Sequence, residues 1–271
     1  MIRIESLDDA RVTDYRLVMN PAALQRAGLF VAEGRFVVRR LLQLNRFPVR
    51  SVFVTPAAFA DLALDGSLHG AAGQVGAEAI PAPVYVAGQS VMDGIVGFNI
   101  HRGCLAIGER LAPARVADLS VSQLRRVLIL EGVGNPDNVG GLFRSAAAFG
   151  VDAVVLGPAC ADPLYRKSIR TSMAATLHVP FVDAEEWPQA IGTLREQGVK
   201  VLALTTAAGA TPLDELPRPV GRFALLVGAE GTGLTAAATS AADEPVRISI
   251  SATVDSLNVT VATSIALHYL R

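Results

Sequence analysis

Asn138 and Arg144 stand in the stretch EGVGNPDNVGGLFRSAAAFG, an amide and a guanidinium set among small and apolar residues. A guanidinium donates hydrogen bonds and accepts none, and an arginine is a cation at neutral pH, so it is a poor base. Such a pair suits the orienting of a phosphate or a hydroxyl better than the removal of a proton. Arg144 is flanked by Leu142, Phe143, Ala146, Ala147 and Ala148. An unpaired charge there would be costly to desolvate, which predicts an anionic partner. The plainer reading is that Asn138 caps a helix and Arg144 is a surface charge.

Two further loops carry polar groups at strand ends. LLVGAEGTGL closes an apolar run with Gly228, Gly231 and Gly233, which allow a ligand close to the backbone, and Glu230 is the acid of that turn. It is either a solvated turn residue or a partner for Arg144. ISISATVDSLNVTVATSIALHYL passes from a strand through a polar turn into an apolar helix, with Ser256 the expected N-cap and Asn258 close behind it.

Other chemistries lack their residues. Gly132 and Gly134 begin like a dinucleotide fingerprint, but Asp137 occupies the place of the third glycine, and no phosphate-loop motif occurs. His69, His101, His178 and His268 are scattered without ligand spacing, so no metal is expected. Cys104 and Cys160 are isolated, and residues 1–20 carry charges throughout. A reducing, cytoplasmic setting is the expectation, with no membrane span because the apolar runs are short. The net charge of −1 supplies no global attraction to a nucleic acid, so any RNA contact must be a local patch.

The elements that must position these groups follow from apolar patterning. From Arg125 onward, runs such as VLIL, VDAVVL, VPFV, VKVLAL, FALLVG and VRISI alternate with amphipathic stretches. That predicts an α/β fold, a mostly parallel sheet with helices on both faces, with ligands beyond the carboxyl ends of its strands. Before it, strands are expected at Val49 to Val54 and Pro83 to Val86, and a glycine-rich surface loop at 61–81. The pattern breaks over 106–122, which predicts a domain at 1–105, a linker at 106–122 and a second domain at 123–271.

NVGGLFRSAAAFG, LLVGAEGTGL and ISISATVDSLNVTVATSIAL, in that order, resemble the three signature motifs of SpoU (TrmH-like) RNA 2′-O-methyltransferases, members of the SPOUT superfamily. RKSIRTSMAATLHVPF is similar to the segment that follows the first motif. FVAEGRFVVRRLL resembles the small substrate-binding domain, related to ribosomal protein L30e, that several members carry. ISIS at 248–251 departs from the I-P-M of many members.

The resemblance implies a trefoil knot at the end of the sheet, which sequence physics alone would not suggest. It also implies S-adenosyl-L-methionine as cofactor, held largely by backbone at Gly228, Ile248 and Leu257, with Thr206 added. Arg144 would handle the ribose hydroxyl, aided by Asn138, Glu230, Ser256 and Asn258. The implied activity is methylation of a ribose 2′-hydroxyl in ribosomal RNA by a homodimer whose interface includes the knot region. The alternatives are a tRNA 2′-O-methyltransferase and a non-catalytic RNA-binding or ribosome-assembly protein.

Two basic groups suit RNA phosphate. Arg166, Lys167 and Arg170 lie together without an intervening acid, and are expected near the reaction site. Arg35 and Arg39 are i, i+4 neighbours if their segment is helical, and would form one basic face.

Overall fold

A computed structural model describes residues 1–64, 82–100, 103–119, 123–217 and 221–270. The chain divides into two compact units. The first holds residues 1–111 together with 164–178; the second holds 112–163 and 179–271. The expected division into 1–105 and 123–271 differs on both counts. Residues 104–109 form a strand, not the start of a linker, and the 164–178 segment groups with the first unit.

The first unit is built on a mixed five-stranded sheet of order β1-β4-β3-β5-β2. Its strands are β1 (Ile2–Arg3), β2 (Leu29–Glu33), β3 (Val49–Val54), β4 (Val84–Val86) and β5 (Cys104–Glu109). β1, β4 and β3 run parallel, and β5 is antiparallel to both β3 and β2. Its helices include α1 (Pro21–Arg26), α2 (Arg35–Leu44), α3 (Pro56–Leu64) and α4 (Gln89–Val96). The two strands expected here are present, whereas most of the expected 61–81 loop lies outside the described residues and 61–64 ends α3. Tyr15, Phe53, Met92 and Ile100 fill the core. Tyr15 donates to or accepts from the buried Ser51 hydroxyl at 2.9 Å. Cys104 is fully buried, and burial pushes its thiol up to about 12 against the lowering influence of Arg35 and Arg39.

The second unit holds seven strands, β6 (Arg126–Leu130), β7 (Ala153–Leu156), β8 (Phe181–Asp183), β9 (Lys200–Leu204), β10 (Thr211–Pro212), β11 (Phe223–Val227) and β12 (Glu244–Arg247). They form one parallel sheet of order β10-β12-β9-β11-β6-β7-β8. β7 and β11 are buried along their whole length, the continuous apolar pattern of strands covered on both faces. The helices here are α5 (Pro136–Ala148), α8 (Gln189–Glu196), α9 (Ala236–Ala241) and α10 (Val259–Leu270), while α6 (Arg166–Thr171) and α7 (Ala175–His178) belong to the first unit. Between α6 and α7, Met173 and Ala174 adopt left-handed φ values of 52° and 68°. The strand expected in VRISI ends at Arg247, so the divergent 248–251 stretch lies beyond it.

The strand order places the site. β11 returns between β9 and β6, so the loops after β9, β11 and β12 open on neighbouring carboxyl ends, the arrangement in which open parallel sheets bind ligands. Among the described residues, no helix is long and apolar enough to cross a membrane.

Candidate active site

Helix α5 starts where Asn135 accepts the Asp137 N–H at 2.9 Å and Pro136 takes the first helical position. Asn135 is therefore the cap. Asn138 lies in the first turn with only 9% of its surface exposed. Helix α10 is likewise capped not by Ser256 but by Asn258, whose Oδ1 accepts the N–H groups of Thr260 at 2.9 Å and Val261 at 3.4 Å. The hydroxyl of Ser145 on α5 meets that of Ser264 on α10 at 2.7 Å, and a Cβ at Gly141 would lie 2.7 Å from the Thr260 methyl. Small residues thus let the two helices approach closely.

Capping fixes which end of the Asn258 amide faces outward. Its Nδ2 donates to Glu230 Oε1 at 2.5 Å and to Asn138 Oδ1 at 3.3 Å. One side chain thereby joins the loop after β11, the first turn of α5 and the start of α10. Three residues expected at the site, each from a different loop, meet in one polar cluster.

Beside it is a cavity of about 560 Å³, within the range of small-molecule sites. Its walls are the backbone of Gly228 to Leu234, the ends of β9 and β11, and the 248–258 region. Thr206, Gly228, Ile248 and Leu257 all line it, as do Glu230, Ser256 and Asn258. Gly228 has no room for a side chain: an added Cβ would overlap the Gly233 carbonyl carbon and lie 2.5 Å from Gly233 O and Leu234 N. Gly231 and Gly233 have φ values of +87° and +67°, which favour glycine. Apolar walls from Leu204, Val227, Ile248 and Leu257, with exposed backbone at the glycines, fit a flat heterocycle recognised by main-chain groups.

Arg144 is not part of this cluster. It is exposed on α5 and, among the described residues, makes no hydrogen bond or ion pair. The expectation of a desolvated guanidinium with an anionic partner is corrected: Leu142, Phe143 and Ala146 are buried, while Arg144, Ala147 and Ala148 face outward. Helical periodicity separates residues that adjoin in sequence.

Both basic groups lie in the first unit. Arg166 lies 3.2 Å from Glu33 and 4.6 Å over the Phe98 ring, all within the first unit, and Arg170 is exposed there too. Lys167 belongs to the same segment. Arg35 is paired with Asp61, and both Arg35 and Arg39 are only half-exposed. The outward stripe of α2 is Phe36, Arg40 and Gln43.

Sequence reasoning passed over Glu131. Only 4% exposed, it accepts Trp187 Nε1 at 2.7 Å, Thr235 N at 2.8 Å and Thr235 Oγ1 at 2.8 Å. Its one signal in sequence is an acid directly after the apolar run VLIL.

A parallel sheet whose strand-end loops enclose a glycine-walled cavity beside an Asn–Glu–Asn cluster has the arrangement of a small-molecule site, and comparisons with known proteins give its class. The model of the SpoU rRNA Methylase family matches residues 125–268, and the chain belongs to that family. A protein of Mycobacterium tuberculosis named as an uncharacterised tRNA/rRNA methyltransferase is 42% identical over 267 residues, covering 96% of this chain and 88% of that one. The 23S rRNA (guanosine(2553)-2'-O)-methyltransferase RlmP of Bacillus subtilis is 27% identical over 277 residues, with all of both chains covered. Among solved structures, an AdoMet-bound rRNA methyltransferase from Sinorhizobium meliloti superposes with a TM-score of 0.81 at 23% identity, covering 99% of this chain and 97% of that one, a likeness of fold. The chain is an RNA methyltransferase.

Proposed function

We propose that this protein methylates a ribose 2′-hydroxyl in ribosomal RNA, acting in the cytoplasm as a homodimer. The observation that carries the reading is the Asn258 amide, which ties Glu230 and Asn138 together at the wall of the glycine-lined cavity. Backbone at Gly228, Ile248 and Leu257, with Thr206 at the rim, would hold the cofactor, which supplies an electrophilic methyl group. The trefoil knot implied by the family resemblance belongs to this same region.

The residues of the chain orient and exclude. Glu230 and Asn138 each keep polar atoms beyond those bound to Asn258, available to a ribose hydroxyl, and Ser256 adds a hydroxyl at the same wall. Holding the 2′-oxygen in line with the methyl group supplies much of the rate by proximity and orientation. Arg144, exposed and without a partner among the described residues, would bind phosphate and ribose at a site completed by a second subunit.

The dimer reading draws support from an exposed apolar face on α10 and the loop before it. Val261 and Ile265, one turn apart on α10, are 48% and 42% exposed, and Ile250 and Val254 are exposed on the preceding loop. Replacing Val261 and Ile265 with Arg should give a folded monomer by light scattering, with methyl transfer abolished. A fully active monomer would refute the shared-site reading.

For RNA contact, the stripe Phe36, Arg40 and Gln43 replaces Arg35 and Arg39 as the favoured face of the first unit. Phe36→Ala with Arg40→Ala should weaken RNA binding about tenfold, an aromatic stacking contact and one phosphate contact being lost. Arg35→Ala with Arg39→Ala should change stability more than affinity. RNA affinity equal to that of wild type in both pairs of variants, measured across a salt series, would remove α2 from the interface.

The test of the function is transfer of labelled methyl from S-adenosyl-L-methionine to ribosomal RNA and tRNA pools, followed by nucleoside analysis. Label on ribose in ribosomal RNA is the expected result. Label in tRNA alone would reassign the substrate, and transfer to neither by folded protein would favour a binding protein on the same scaffold.

A further inference from the structure

Glu131 directly follows β6, its N–H continuing the pairing with β11 by donating to Val227 O at 2.9 Å. Its carboxylate is buried, and among the described residues no lysine or arginine pairs with it. A buried carboxylate without a counter-cation is costly, and the cost is offset here by three neutral donors, Trp187 Nε1, Thr235 N and Thr235 Oγ1, converging on two oxygens. Only an acceptor-only group satisfies all three at once. A glutamine in the same place must aim its NH₂ at one of the donors, whichever way the amide is turned.

What this carboxylate holds is the exit of the cofactor loop. Thr235 directly follows Leu234, the last loop residue lining the cavity, and it gives Glu131 both its N–H and its hydroxyl. The same hydroxyl accepts Ala238 N at 3.1 Å and so caps α9. The loop between β11 and Thr235 contains three glycines and an internal backbone bond from Gly233 N to Ala229 O at 3.0 Å. A glycine-rich segment loses much conformational entropy on ordering, so its cavity-forming shape depends on where its two ends are fixed. One end is the buried strand β11; the other is Glu131 acting through Thr235.

We infer that Glu131 is a positioning residue for the cofactor, setting the shape of the Gly228–Leu234 wall through Thr235 without itself lining the cavity. The inference rests on the methyltransferase reading above and adds to it a residue outside the three motifs. Its effect should fall on cofactor affinity and not on RNA affinity.

The experiment uses the full chain, comparing wild type, Glu131→Gln, Thr235→Val, Thr235→Ser and the Glu131→Gln, Thr235→Val double variant. Affinity for S-adenosylhomocysteine is read by calorimetry, RNA affinity by filter binding, and loop order by amide exchange over 229–235. Glu131→Gln should lose about tenfold in cofactor affinity, the scale of a hydrogen bond to a charged group. Exchange in the loop should quicken, while RNA affinity stays within about twofold of wild type. Thr235→Val should show part of the same loss, Thr235→Ser should restore it, and the double variant should be no worse than Glu131→Gln, because both act through one contact. Thr235 is exposed, so its variants test the idea even if Glu131→Gln folds poorly. Unchanged cofactor affinity and loop exchange in both Glu131→Gln and Thr235→Val would overturn this inference alone. A folded wild type that binds no S-adenosylhomocysteine would overturn the methyltransferase reading, and this inference with it.

Discussion

Arg144→Ala should abolish methyl transfer, by about 100-fold or more, while leaving the fold and cofactor affinity unchanged. The separation of effects follows from where the side chain stands. Arg144 is exposed and makes no hydrogen bond or ion pair among the described residues, so truncating it strands no partner there. Surface changes of this kind usually move stability by less than about 0.5 kcal/mol. Its absence from the cavity lining predicts normal binding of S-adenosylhomocysteine. Mixing Arg144→Ala protein with a variant crippled only at Asn258 should restore part of the activity if the arginine serves the opposite subunit, because one site in the mixed dimer is then intact. No recovery after subunit exchange would place Arg144 in the site of its own chain.

Gly228→Ala should be nearly as damaging by the opposite route. Its Cβ would be driven into main-chain atoms of Gly233 and Leu234, which cannot rotate aside as a side chain could. The loop must move, at a cost of about 1–3 kcal/mol in stability as for other overpacked sites. The wall it forms is the one expected to hold the cofactor, so affinity should fall about 100-fold, equivalent to about 2.7 kcal/mol. RNA binding by the first unit should survive. Calorimetry with S-adenosylhomocysteine beside a thermal melt checks both halves of this expectation. An affinity close to that of wild type would show that the cofactor does not lie against this turn.

The sheet of the second unit was readable because its strands are unbroken apolar runs separated by amphipathic stretches, and VLIL, VDAVVL and FALLVG all became parallel strands. The cavity was readable because glycines at a strand end mark close backbone approach. The caps were not: Asn135 and Asn138, or Ser256 and Asn258, are equally good capping residues, and only the backbone conformation where each helix begins decides between them. Arg144 was misjudged because sequence neighbours were taken for spatial ones, although its apolar neighbours point elsewhere around the helix. Glu131 carried no motif, since its meaning lies in contacts with Trp187 and Thr235, far along the chain. The grouping of 164–178 was equally hidden, because local periodicity shows that a segment is helical and not which core it joins.

That grouping bears on how such proteins can be recombined. Arg166 is matched to Glu33 and Phe98 within the first unit, yet in chain order it sits between β7 and β8 of the second. A chimera joining the first 111 residues of one homologue to the remainder of another would inherit this segment from the wrong parent. A faithful exchange of the first unit needs crossovers at 111/112, 163/164 and 178/179, so these two units are expected to be inherited together in place of being shuffled singly.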